Sequence, residues 1–248
     1  LRQLSKRVPS REDNTGRWTT PSSSSPPSFA FLFPAPAATT RSMDELSIGF
    51  LGAGKMATAL AKGFLAAGLV KAERVVAADP YAVALKHFCD GTGARAGGSN
   101  LGVTQTAKVL IVATKPDQVA AVLTEISPAV TPEHLVISIA AGVPLAKLEG
   151  GLPAGARAIR VMPNTPALIG AGAAGFALGK HATAADGELA KSLLSAVGIA
   201  ISVTESLLDA VTGLSGSGPA YVYQFIEDRK STRLNFSHVS ESRMPSSA

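Results

Sequence analysis

The chain is poor in the residues that build covalent and metal-held frameworks: 248 residues carry one cysteine and four histidines. The lone Cys89 excludes an intrachain disulfide, and His87, His134, His181 and His238 show no spacing that lets them share a metal ion. A reducing compartment and a metal-free site are the expectations. Long apolar runs are missing too. The longest near the start, Phe29 to Ala38, is broken by Pro34 and Pro36 and is far too short to cross a bilayer. No membrane partner is expected, and the cytoplasm is the expected location. A basic face is also lacking. The formal charge of +5 sits at the ends: six Lys/Arg against two Asp/Glu in residues 1–43, and four against one in 229–248. Between them, thirteen basic residues face fifteen acidic ones, which leaves nothing to dock a nucleic-acid backbone.

What is present falls into four stretches. Residues 1–43 are rich in Ser, Thr and Pro, without a period of two or of 3.6, and read as disordered. Two origins remain open for them. One is a transit peptide, which would place the protein in a plastid or mitochondrion; the other is upstream sequence translated in frame before a start at Met43. Residues 44–204 read as one α/β domain, 205–228 as a short further stretch ending in a helix start, and 229–248 as a disordered tail, either a natural solvated one or, as preferred, non-native sequence.

From Ser47 onward the pattern alternates between strands and helices. Ile48 to Leu51, Val75 to Ala78, Val109 to Ala113, Leu135 to Ile139, Ala158 to Met162 and Ile199 to Val203 read as strands. Met56, Leu60 and Phe64 share one helical face, and Val119, Val122, Leu123 and Ile126 share another. Gly68 should stop the first helix, and Pro116 sits where a later one can start. Apolar strands joined by helices predict an α/β fold of the Rossmann type, with a doubly wound, mostly parallel sheet. Thr183 with Asp186 makes a capping box, a structural signal only.

The stretch Gly52-Ala53-Gly54-Lys55-Met56-Ala57 fits G-x-G-x-x-G/A directly after the first strand. The physics asks for small residues there: one glycine for the tight turn, one for close approach of a pyrophosphate, and a small side chain for helix packing. Asp79 ends the second strand, where an acid accepts the ribose 2′-hydroxyl of NAD(H) and repels the 2′-phosphate of NADP(H). The next basic residue is Lys86, so no cation compensates close by. Asp79-Pro80 also reads as an N-cap followed by a helix-starting proline, and the two roles are compatible. Two more strand ends, Thr114-Lys115-Pro116 and Ala140-Ala141-Gly142, fall at the carboxyl edge where such sheets bind ligands. Lys115 is read either as a phosphate, ribose or carboxylate partner or as a plain surface lysine.

These residues resemble the pyrroline-5-carboxylate reductase family. The likeness runs from about Ile48 to Asp228 and rests on "GFLGAGKMATALAKGF", "VATKPDQV", "SIAAGV", "RVMPNTPALIGAG" and "DAVTGLSGSGPAYVYQFIE". It implies NADPH- or NADH-dependent reduction of a small cyclic imine, L-1-pyrroline-5-carboxylate, to L-proline by a homo-oligomer. By the same resemblance Gly52, Ala53, Gly54, Lys55, Met56 and Ala57 form the phosphate loop, and Asn100 contacts the cofactor. Ala113, Thr114, Lys115 and Pro116, with Ala140, Ala141 and Gly142, border the nicotinamide ribose and ring, and Asn164 supports that end. Family members often prefer NADPH; Asp79 argues for use of either cofactor with a lean to NADH.

Hydride transfer to an imine asks the protein mainly for proximity and orientation. No general acid is nominated. Ser215, Ser217 and Gly218 are candidates for the substrate side; their other reading is a small-residue break between two helices. Met162, Tyr221 and Tyr223 are read as packing residues and Cys89 as an inert, partly buried thiol. The family's second, all-helical dimerisation domain carries a glycine-rich segment of the type "SPGGTT", which this sequence lacks, so the resemblance implies a dinucleotide-binding domain over 44–204 and only the truncated start of the helical domain over 205–228. Three functional readings therefore stand: an imine reductase, a dinucleotide-binding fragment without turnover, or another reductase of the same superfold acting on a hydroxy acid.

Overall fold

The computed structural model describes residues 46–237, with side chains described as far as Asp228. The readings of residues 1–43 as a leader and of 238–248 as a tail lie outside the described residues.

Four central strands are wholly buried: β1 (Ile48–Leu51), β2 (Val75–Ala78), β4 (Val109–Val112) and β5 (Leu135–Ser138). Their near-continuous Val, Ile, Leu and Ala content follows from helices covering both faces. With β3 (Arg95–Ala96), β6 (Arg157–Met162), β7 (Gly172–Leu178) and β8 (Gly198–Ser202) they form one eight-stranded sheet, ordered β3-β2-β1-β4-β5-β6-β7-β8. All neighbours run parallel except β6 and β7. The strand order reverses direction between β1 and β4. A crevice therefore opens beyond the carboxyl ends of those two strands, because their crossover connections leave on opposite faces.

The helices are α1 (Lys55–Ala66), α2 (Ala82–Thr92), α3 (Asn100–Thr106), α4 (Val119–Ile126), α5 (Leu145–Gly150) and α6 (Ala184–Ser195), followed by α7 (Leu208–Val211) and α8 (Gly218–Ser237). On one face of the sheet Phe50 of β1 meets Phe64 of α1 and Phe88 of α2, with ring centroids 6.3 and 5.2 Å apart. These contacts seat both helices on the strand that leads into the glycine loop. The opposite face packs Val119, Val122, Leu123 and Ile126 of α4 against Leu110, Val112 and Val136. Gly68, with φ +67°, follows the end of α1 as expected. Thr183 and Asp186 make the reciprocal capping box that opens α6. Asp186 is also gripped by Arg157 at 2.6 Å, which ties that helix to the start of β6.

Three expectations are corrected. β3 and β7 escaped the periodicity: β3 has two exposed residues, and β7 (GAAGFAL) is built of small residues without apolar–polar alternation. Asp79 is not an N-cap. Helix α2 begins at Ala82, after Pro80 and Tyr81, and no side chain caps it. The break expected around Ser215 to Gly218 falls at Ser217: helical turns continue past α7 as a π-turn over Thr212–Gly216, in which Ser217 N–H donates to the Thr212 carbonyl at 2.8 Å, and α8 starts afresh at Gly218. Helix α8 runs on to Ser237, so 229–237 is helical rather than disordered. Extending a helix already formed costs far less than nucleating one, even through a polar run.

Candidate active site

The site is built where β1, β2, β4 and β5 end. The tight turn after β1 holds Gly52 at φ +102°, and a Cβ there would lie 2.8 Å from the Ala113 carbonyl oxygen. The first glycine is therefore demanded by the end of β4 pressing on the loop. Gly54 differs: its φ is −72° and a Cβ would meet nothing within 4 Å. Open space lies above it, at the N-terminus of α1. No side chain caps this twelve-residue helix, so its first-turn N–H groups lack a protein acceptor from that source. Ala57 is buried, as a small residue against the sheet must be.

Asp79 closes the loop from the side. Its carboxylate accepts the Ala53 N–H at 2.7 Å and the Tyr81 N–H at 2.8 Å. The Ala53 amide is thus committed to Asp79 and is not free for a phosphate, which narrows the expected phosphate contacts to the helix start. Lys86, the nearest basic residue after Asp79, is paired with Asp90 at 2.6 Å, and that hydrogen bond holds its ammonium above the usual lysine range. Arg95 points to the other end of the sheet, beside Ser47, Glu73 and Arg74.

At the end of β4, the Thr114 hydroxyl oxygen is buried and has no hydrogen-bond partner in the protein. A buried hydroxyl without a partner is costly, and such atoms mark places where a ligand or water completes the site. Lys115 and Pro116 are exposed beside it. After β5, the buried Ser138 hydroxyl accepts the Ala140 N–H at 3.3 Å, and Ala141 and Gly142 form an exposed turn with Gly142 at φ +73°. A Cβ on Gly142 would also meet open space. The donors and the open space fit a dinucleotide: an open helix start for a diphosphate, an orphan hydroxyl, and a small-residue turn for a flat ring.

Asn164 is buried after β6, and its side-chain oxygen accepts the Ala173 N–H of β7 at 2.8 Å. The 3₁₀ turn that follows, Thr165–Ile169, packs against α1. Asn100, the first residue of α3, spends its amide nitrogen on Glu125 at 2.7 Å. That leaves Asn100 its second amide hydrogen and its side-chain oxygen for a cofactor contact. Gly216 lies against Met162 at the end of β6, which brings Ser215 and Ser217 to the same edge of the sheet. The Ser215 hydroxyl donates to the Val211 carbonyl at 3.1 Å. Tyr221 and Tyr223, expected to pack, are exposed in the single chain, as are Val222, Phe225 and Ile226.

Two side chains escaped the sequence reading. Arg160, buried in the middle of β6, reaches Glu205 at 3.2 Å and Asp209 at 3.1 Å. Glu205 also accepts the Leu145 N–H at 2.6 Å. No local motif announces such a set, because its members lie 45 to 60 positions apart.

Comparison with known proteins decides the family. Residues 47–142 match the family model described as NADP oxidoreductase coenzyme F420-dependent, and residues 205–233 match pyrroline-5-carboxylate reductase dimerisation. The chain is 46% identical over 185 residues to the pyrroline-5-carboxylate reductase of Methanosarcina acetivorans, covering 75% of this chain and 68% of that protein. The chain belongs to the pyrroline-5-carboxylate reductase family. Pyrroline-5-carboxylate reductase 3 of Mus musculus is likewise 46% identical, over 73% of this chain and 65% of its own length. The chain thus spans about two thirds of these reductases. Among solved structures, the Coxiella burnetii enzyme superposes with a TM-score of 0.71 at 31% identity, over 77% of this chain and 72% of that one. The Plasmodium falciparum reductase, solved with NADP bound, gives 0.68 at 28% identity and covers 82% of each chain. No helix among the described residues is long and apolar enough to cross a membrane.

Proposed function

We propose that the protein reduces L-1-pyrroline-5-carboxylate to L-proline, with NADH or NADPH bound across the β1/β4 switch point. The observation that carries this reading is the unpartnered, buried Thr114 hydroxyl. It lies at the end of β4, where the Ala113–Thr114 backbone abuts the Gly52 turn that leads into the uncapped start of α1, in a chain of this family.

The nicotinamide cofactor supplies the hydride. The chain's part is to hold both reactants. N–H groups of Lys55, Met56 and Ala57 receive the diphosphate, Gly54 keeps the approach open, and Asp79 accepts from the adenosine ribose. Thr114, Lys115 and Pro116 border the nicotinamide ribose, and Ala140, Ala141 and Gly142 leave room for the ring. Asn164 braces that end through its bond to Ala173. Ser215, Ser217 and Gly218 lie on the substrate side. Holding imine carbon and hydride donor in contact is the main source of acceleration, and no metal or carboxylate pair is required.

Asp79 favours NADH, since a 2′-phosphate beside its carboxylate is repelled and Lys86 is engaged by Asp90. Homo-oligomerisation buries Tyr221, Val222, Phe225 and Ile226, which lie in the segment matching the dimerisation model. Their exposure in the single chain also supports a second reading, in which this polypeptide binds cofactor without turnover. The experiment is an assay of pyrroline-5-carboxylate-dependent NAD(P)H oxidation alongside cofactor binding. Turnover supports the reductase; binding alone supports the second reading.

A further inference from the structure

We infer that Glu205, pinned by Arg160, is a positioning residue for the loop after β5 that carries Ala140, Ala141 and Gly142. The inference rests on the dinucleotide reading of that loop.

The loop is fastened at both ends. At its start Ser138 accepts the Ala140 N–H. At its far end Leu145 opens α5 after Pro144, and no side chain of the N-cap satisfies that helix. The acceptor for the Leu145 N–H comes instead from Glu205, 60 residues away, at 2.6 Å. The same oxygen, Oε1, receives Arg160 Nη1 at 3.2 Å. Arg160 stands opposite Ser138 in the β5–β6 register, is only 6% exposed, and turns its second nitrogen to Asp209 at 3.1 Å. A buried guanidinium has few alternatives to its carboxylate partners, so Glu205 is held in one place.

Glu205 is also the first residue of the segment that matches the dimerisation model. One carboxylate oxygen therefore joins that segment to the turn proposed to border the nicotinamide ring. Displacing residues 205–209 removes the acceptor from Leu145 and frees the loop at one end. The adenosine half, held by β1 and β2, is untouched. Glu205 and Arg160 thereby set how well the nicotinamide end is held, without touching the cofactor.

The test compares NADH with ADP-ribose, which shares the adenosine diphosphate portion but lacks nicotinamide, by calorimetric titration of the wild-type chain, Glu205→Ala, Glu205→Gln and Arg160→Lys. Loss of a charged hydrogen bond predicts about a tenfold weaker NADH affinity for Glu205→Ala, with ADP-ribose changed by less than about twofold. Glu205→Gln keeps an acceptor for Leu145 and should recover most of the loss; Arg160→Lys should fall between. Should Glu205→Ala fail to unfold cooperatively, hydrogen exchange at the Leu145 amide of Arg160→Lys decides. Faster exchange with a NADH-specific loss supports the inference, and unchanged exchange overturns it. Equal losses for both ligands, or none, overturn the inference alone. A wild-type chain that binds neither ligand overturns the dinucleotide reading and this inference with it.

Discussion

The Asp79 carboxylate accepts the backbone N–H of Ala53 at 2.7 Å, so the acid that ends β2 is stitched to the glycine loop that ends β1. One residue thereby shapes the loop and places a negative charge where the adenosine ribose is proposed to lie. The two effects separate by comparing cofactors. Asp79→Ser should weaken both through the loosened loop, yet shift the NADPH-to-NADH affinity ratio toward NADPH by about tenfold as the repulsion disappears. Fluorescence titration with each cofactor measures the ratio; an unchanged ratio removes Asp79 from the ribose site.

The two loop glycines should fail in opposite ways. Gly52→Ala forces a Cβ to 2.8 Å from the Ala113 carbonyl at φ +102°, which predicts a loss of about 1–3 kcal/mol in unfolding free energy. Gly54→Ala meets no protein atom and should cost less than about 1 kcal/mol, a cap-position effect, while cofactor affinity falls because the methyl enters the space above the helix start. Denaturant melts with binding titrations check both.

Thr114→Val removes a buried hydroxyl that the protein leaves without a partner. Stability should hold or rise slightly, since no intramolecular bond is lost. Affinity for either cofactor should drop about tenfold if the hydroxyl bonds the ligand. A variant that binds like the wild type places the cofactor elsewhere.

Thr183→Ala is the contrasting case. It breaks the box with Asp186 at the start of α6, away from the crevice, and should cost about 1 kcal/mol of stability. Cofactor affinity of the folded variant should be unchanged. A thermal melt and one titration suffice.

Burial, with a smaller contribution from Asp90, pushes the Cys89 thiol above the usual cysteine range. At neutral pH less thiolate is present than in a free cysteine, so alkylation should be slower and should reach half its limiting rate at higher pH. The pH profile of iodoacetamide labelling in the folded chain measures this.

Much of this was legible in the chain. Strands buried on both faces announced themselves as apolar runs, and the glycine pattern of residues 52–57 placed the switch point. β7 stayed hidden because five of its seven residues are Gly or Ala, so it shows no β-branched run and no apolar–polar alternation. The Asp79–Ala53 stitch and the Arg160–Glu205–Leu145 link were illegible for another reason. They join residues 26 to 60 positions apart, and only the fold brings them together. The resemblance supplied Asn100 as a ligand, but not that one of its amide hydrogens is given to Glu125.

The central claim is that the carboxyl ends of β1, β4 and β5 hold a nicotinamide dinucleotide. Calorimetric titration of the wild-type chain with NADH and NADPH, repeated on Thr114→Val, tests it most directly. The account predicts saturable binding of one cofactor per chain, tighter for NADH and weakened in the variant; no heat of binding from either cofactor in the folded wild-type chain would contradict it.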